Sequence, residues 1–264
     1  MYRFALVILS MLASTSVMSA VDLPALWDFS NPDLSERRFR EALKSAAGDD
    51  RLIIQTQIAR THMLRKDFAV ARDVLQSISS EVDDAGAEAK ARYWLELGRT
   101  YASHRHDPST QTPESRRLAR DAFSTALNVA RVAKLDGLAV DALHMFVFLD
   151  TAPEDQLRWN QEALAVIAAS EQPEAKRWEA SISSNTGEAL YDLRRYDEAL
   201  RYFRRALFLR EQSNDRHGAR DAYWHIARVL RIQNHIDDAL AIQLRLERES
   251  EAAQQPRHYI FEEL

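Results

Sequence analysis

Residues Ser183 to Ala206 read SSNTGEALYDLRRYDEALRYFRRA. Gly187 and Leu190 fall on one face of a first helix, Ala199, Phe203 and Ala206 fall on one face of a second, and Arg194-Arg195-Tyr196 makes the turn between them. A glycine inside a helix costs roughly 0.5–1 kcal/mol relative to alanine, so Gly187 needs a compensating reason. Close approach of the neighbouring helix is the expected one. The same pattern recurs along the chain, which makes repetition its first property.

Working outward, Ala59 stands where Gly187 stands, and Phe68, Ala71 and Leu75 follow it as Tyr196, Ala199 and Phe203 follow in the template. This predicts a first helical hairpin over about 50–65 and 67–79. A second carries Trp94, Leu97, Gly98 and Tyr101 and, after an interruption, Ala119, Phe123 and Ala126. The third joins 138–149 to 153–169, with Pro153 opening its second helix. The template is the fourth, preceded by Pro173 and Trp178, and the fifth spans about 219–231 and 236–252, with Ala227, Leu230, Ala239 and Leu246 in the core positions. About five hairpins thus occupy 50–253. Ahead of them, Asn31-Pro32 is a cap followed by a first-turn proline, so a lone helix over 32–48 is predicted to cover the open end of the array. Trp27 and Phe29, in a linker over 21–31, are expected to fold back on it. A short helical segment over 254–264 offers Ile260, Phe261 and Leu264 either to the last hairpin or to another chain.

The spelling W-x-x-L-G-x-x-Y from Trp94 to Tyr101, continued by Ala119, Phe123 and Ala126, resembles the tetratricopeptide repeat, a helix-turn-helix unit of about 34 residues. The resemblance is strongest in the second and fourth hairpins. His144 takes the small position in the third, Gln243 takes the aromatic position in the fifth, and the closing proline of the motif is absent. It implies an all-α fold, a right-handed superhelix of antiparallel hairpins whose first helices line a concave groove. A groove of that kind binds a protein or peptide and performs no chemistry.

The residue after the small position should then point into the groove. It is Arg60, Arg99 and Arg228 in three hairpins and Met145 and Glu188 in the other two, with Gln57, Glu96, Asn185, Tyr191, Trp224 and His225 around them. Two readings of the arginines stay open. Guanidinium forks suit a carboxylate of an extended peptide; they equally suit Glu96 or Glu188, which would merely tie repeats together. The lysine–asparagine clamp that the family uses for chaperone tails is missing, since Thr56, Leu95, Asp141 and Ser184 stand on the comparable faces. Trp94, Trp159 and Trp178 read as packing between repeats, and Trp224 as a groove residue.

Composition narrows the function further. Hydrophobic content of 46% with 28% charged residues, six glycines and seven prolines argue against long disordered tracts. A net charge of -5 gives no basic face for nucleic acid. No cysteine is present, which removes disulfides and thiolate chemistry. The sequence shows no phosphate-cradling glycine loop and no strained nucleophile turn, and His104-x-His106-Asp107 reads as part of a solvated loop from Ser103 to Ser115; no enzyme, cofactor or metal is expected. Met1-Tyr2-Arg3, the apolar run from Phe4 to Ala13 and the small polar stretch from Ser14 to Ala20 have the three parts of a secretory signal over 1–20. The expected location is periplasmic or secreted, with an uncleaved anchor as the alternative. The expected function is a scaffold or adaptor for a protein or peptide, and its rival is self-assembly into a homo-oligomer through the C-terminal segment.

Overall fold

The computed structural model describes residues 21–252; the expected leader over 1–20 and the segment over 254–264 lie outside the described residues. Among the described residues there are helices and no strands. A single turn, α1 (Leu23–Leu26), and α2 (Pro32–Leu43) precede the first hairpin, α3 (Gly48–Leu64) and α4 (Phe68–Gln76). After the short α5 (Ser79–Val82) come α6 (Ala87–Tyr101) with α7 (Pro113–Val132), and then α8 (Asp136–Phe146) with α9 (Pro153–Ala169). The turn α10 (Pro173–Lys176) leads to α11 (Glu179–Asp192) with α12 (Tyr196–Gln212), and the last pair is α13 (Arg216–Ile232) with α14 (Ile236–Ala252).

Each hairpin packs on itself, and its second helix packs on the first helix of the next: α7 on α8, α9 on α11, α12 on α13. First helices also touch one another, α3 to α6 and α6 to α8. The result is a two-layer stack with α3, α6, α8, α11 and α13 as the inner layer. Its core runs as three successive clusters, one around Phe39, Ile54 and Leu75, one around Leu95, Phe123 and Leu143, and one around Leu190, Phe203 and Ile226.

The glycine expectation holds with a specific cause. A Cβ on Gly187 would lie 2.5 Å from Phe203 Cε1, and one on Gly98 would lie 2.4 Å from Phe123 Cε1. Both rings are 0% exposed, so each hairpin closes by laying a phenyl face on bare backbone. The turns close without glycine. Lys66, Lys134, Arg194, Asn214 and Asn234 adopt left-handed φ of 68°, 55°, 58°, 55° and 64° just after their helices. In each, the next amide reaches back to a carbonyl in the last turn: Asp67 to His62, Leu135 to Ala130, Arg195 to Leu190, Asp215 to Arg210 and His235 to Leu230, at 2.8–2.9 Å. This paired closure satisfies the orphan carbonyls and lets the next helix begin at once, against roughly 1–2 kcal/mol of left-handed strain.

At the N-terminal end, Asn31 Oδ1 accepts the Leu34 amide at 3.0 Å and Pro32 occupies the first turn of α2. Trp27 meets Phe39 edge to face at 5.1 Å and stacks on Phe29 at 4.6 Å. Trp27 Nε1 also donates to Gln57 Oε1 at 3.1 Å, so the linker covers the inner side of α3 as well as α2. The loop after α6 differs from a solvated one. His106 stacks on Phe68 at 3.9 Å, with Nε2 3.1 Å from the Thr100 carbonyl and Nδ1 3.0 Å from Ser103 Oγ. Phe68 lies far away in the sequence, so only the fold brings this platform to the histidine. Among the described residues, no helix is long and apolar enough to cross a membrane.

Candidate functional site

The inner helices are joined by polar links, one at each junction. Arg60 on α3 donates to Glu96 Oε1 on α6 at 3.2 Å. Arg99 on α6 grips Asp141 on α8 and also donates to Glu96 at 2.5 Å. Between α8 and α11, Asn185 Nδ2 lies 3.1 Å from His144 Nδ1. Glu188 on α11 faces α13, with Oε2 3.4 Å from Arg228 and Oε1 2.5 Å from His225 Nδ1, close but off line for a hydrogen bond. The register explains three of these links, because a side chain one step past the small position lies beside one two or three steps before it in the next repeat; the α8–α11 link instead uses His144, at the small position itself.

The first part of this ladder is buried. Glu96 is 2%, Arg99 4% and Asp141 6% exposed, and Arg60 adds a second guanidinium to the two carboxylates. Desolvation works against every charge here, yet Arg99 and Arg60 outweigh it for Asp141 and hold its carboxyl below the ordinary range. Burial of Arg99 is likewise outweighed by Asp141 and Glu96, which raise its pKa. His144 has no such compensation. Burial lowers its imidazole to about 4, Asp141 opposes the shift, and Arg99 adds to it. His144 is thus an inner-layer histidine whose partner is the Asn185 amide group.

The second part is more open and aromatic. The Arg228 guanidinium sits 3.7 Å from the Tyr191 ring centroid and 5.1 Å from that of Trp224. Trp224 meets His225 edge to face, and His225 stacks on Phe203 at 4.7 Å with an 8° tilt. The ring that fills the space over Gly187 therefore also supports His225 from beneath. His225 and Arg228 outweigh the burial of Glu188 and hold its carboxyl low, while burial and then the Glu188 charge raise that of Asp192.

Of the expected groove residues, the structure gathers Tyr191, Trp224, His225 and Arg228 into one cluster. It places Arg60 and Arg99 in another, with Asn185 on the link between them. Arg99 is not a free cation in a groove: it is buried and bound to two carboxylates, because a guanidinium taken out of water must be paired. Arg60 retains 23% side-chain exposure, and its outer side is covered by Trp27 and Phe29, both 5.9 Å from its guanidinium carbon. The inter-repeat reading of the arginines therefore describes the first three repeats. Trp94, Trp159 and Trp178 pack against the central cluster. Sequence reasoning missed Asp141 as the third member of the buried network; the available signal was a carboxylate three residues before His144 on the inner face. Among the described residues, no three His, Asp or Glu side chains converge as metal ligands would.

Comparison with known proteins agrees with this architecture. The tetratricopeptide repeat family profile matches residues 178–248, which hold the template hairpin and the one after it. No curated protein matches the sequence. The apo quorum sensor NprR of B. thuringiensis is similar in structure at 15% identity with a TM-score of 0.61, covering 89% of this chain and 63% of its own. BtubC of P. vanneervenii aligns at 13% identity and TM-score 0.62, covering 90% and 96%. A STAND ATPase of Pyrococcus horikoshii with a tetratricopeptide repeat sensor aligns at 16% and 0.57, covering 87% of this chain and 38% of that one. The chain thus has the fold of a tetratricopeptide-like α-solenoid, and it spans about two thirds or less of two of these three neighbours.

Proposed function

We propose that the protein is an exported, non-catalytic adaptor that holds an extended segment of a protein partner along its inner helices, at the α11–α13 end. The observation that carries this reading is the Tyr191–Arg228–Trp224 stack beside Glu188. Two partly exposed aromatic rings flank an arginine whose side chain keeps 16% exposure, the composition typical of residues that dominate protein interfaces. The α3–α8 half of the inner face is less suited, because its charges are paired with one another and its outer edge is covered by Trp27 and Phe29. Structural likeness to a quorum sensor and to a repeat sensor supports the fold of this reading, and the aromatic cluster supports its location. The three-part leader over 1–20 supports export.

A photocrosslinking side chain placed at Tyr191 tests the site. A discrete adduct is expected from cells of the source organism, lost on Arg228→Ala, with none from the same probe at Val132, which is 87% exposed on the outer helix α7. Equal adducts from both positions would refute the site. N-terminal sequencing of the mature chain tests export, with a start at Ala20 or Val21 expected.

A further inference from the structure

The last helix among the described residues, α14, has two apolar faces where one would be enough. Ala239 and Leu246 pack inward at 6% and 3% exposure, while Ile236, Leu240 and Leu244 stand outward at 50%, 42% and 41%, joined by Ile232 of α13 at 43%. The spacing i, i+4, i+8 puts the three on one continuous stripe. An internal reference shows what such a face is for. In α12, Leu200 holds the register of Leu240, and it is 9% exposed because α13 covers it beside Ile226 and Leu230. Terminal repeats normally present a polar outer face to remain soluble. Here that face remains aliphatic.

We propose that this face is covered by a second copy of the chain, two α14 helices packing antiparallel about a two-fold axis that passes between Leu240 and Leu244. The charges that flank the stripe select this occupant. Asp237 and Arg248 are exposed, neither has an ion-pair partner among the described residues, and they sit at opposite ends of the stripe on the same flank, with Glu247 on the other flank. With a rise of about 1.5 Å per residue, Asp237 lies about 7.5 Å to one side of the axis and Arg248 about 9 Å to the other. An antiparallel second copy therefore sets its Arg248 beside Asp237, and the symmetry makes the same pair again. Parallel helices would instead oppose Asp237 to Asp237 and Arg248 to Arg248. The match is of the face with itself, which distinguishes a second copy from a partner of unrelated sequence.

Sedimentation of the full-length mature chain gives the test. A reversible dimer is expected, and Leu240→Glu with Leu244→Glu should render it monomeric while the helical melting curve persists. Asp237→Arg or Arg248→Asp alone should raise the dimer dissociation constant at least about tenfold, and the two together should restore it to within about threefold, a reversal that mere loss of folding cannot produce. A strict monomer at roughly 100 μM overturns the proposal, as does a dimer indifferent to the leucine substitutions. So does a monomer that dimerises only when residues 253–264 are removed, because the chain's own end would then be what covers the face.

Discussion

Replacing Gly187 with alanine adds one methyl group between α11 and α12. In an open helix the change would stabilise by about 1 kcal/mol, the propensity difference between the two residues. Here the new carbon would sit 2.5, 2.7 and 2.9 Å from Cε1, Cδ1 and Cζ of Phe203, well inside contact distance. The ring is fully buried and stacked against His225, which limits how far it can shift. Overpacking of this kind costs about 1–3 kcal/mol, and the rigidity of the site puts it near the upper figure, so a net loss of about 2 kcal/mol is expected. The chain itself indicates the remedy. Where the small residue is Ala59, the residue in the register of Phe203 is Leu75, buried without a clash in the same core. In a Phe203→Leu background, Gly187→Ala should therefore be neutral or mildly stabilising. Urea unfolding followed by circular dichroism, on all four members of the cycle, measures the coupling. An alanine penalty that stays the same in both backgrounds would refute the idea that the glycine exists to seat the ring.

Removing the buried cation should be costlier still. Arg99→Met leaves Glu96 and Asp141 in a dry interior with only Arg60, so a loss of about 3–5 kcal/mol is expected by the same urea assay, well above that of Arg60→Met, whose side chain is 23% exposed. The neutral His144 predicts a pH dependence. Its folded pKa of about 4 lies below the ordinary 6.5, so between those values the unfolded chain binds more protons and stability falls as the pH drops, by about 3 kcal/mol at most. Thermal melts of His144→Gln should lose most of the slope in that window while keeping the carboxylate-driven loss at lower pH. Gln243 occupies the position that Phe203 and Phe123 hold in other hairpins and is 5% exposed, with no hydrogen-bond partner for Oε1. Gln243→Leu should stabilise the α13–α14 hairpin by about 1–2 kcal/mol, read as slower amide exchange in both helices.

What the amino-acid order determined by itself was the set of local choices: a small residue where helices touch, a proline or asparagine where one begins, and a phenyl ring on the second helix of the hairpins that carry Gly98 and Gly187. These interactions are local in sequence, so Gly187 with Phe203 and Asn31 with Pro32 were readable, whereas the helix expected over 32–48 ends at Leu43. The tertiary structure decided which charges face water. Arg60, Arg99 and Arg228 occupy one register and look alike in sequence. Asp141 arrives beside Arg99 from the next repeat and buries it, Trp27 folds over Arg60 from the N-terminal linker, and Tyr191 and Trp224 leave Arg228 at a partly open edge. The free energy of a charged group depends on its neighbours in space and on the water they exclude, and the carboxylates that pair with these arginines across repeats come from 36 to 42 residues away along the chain.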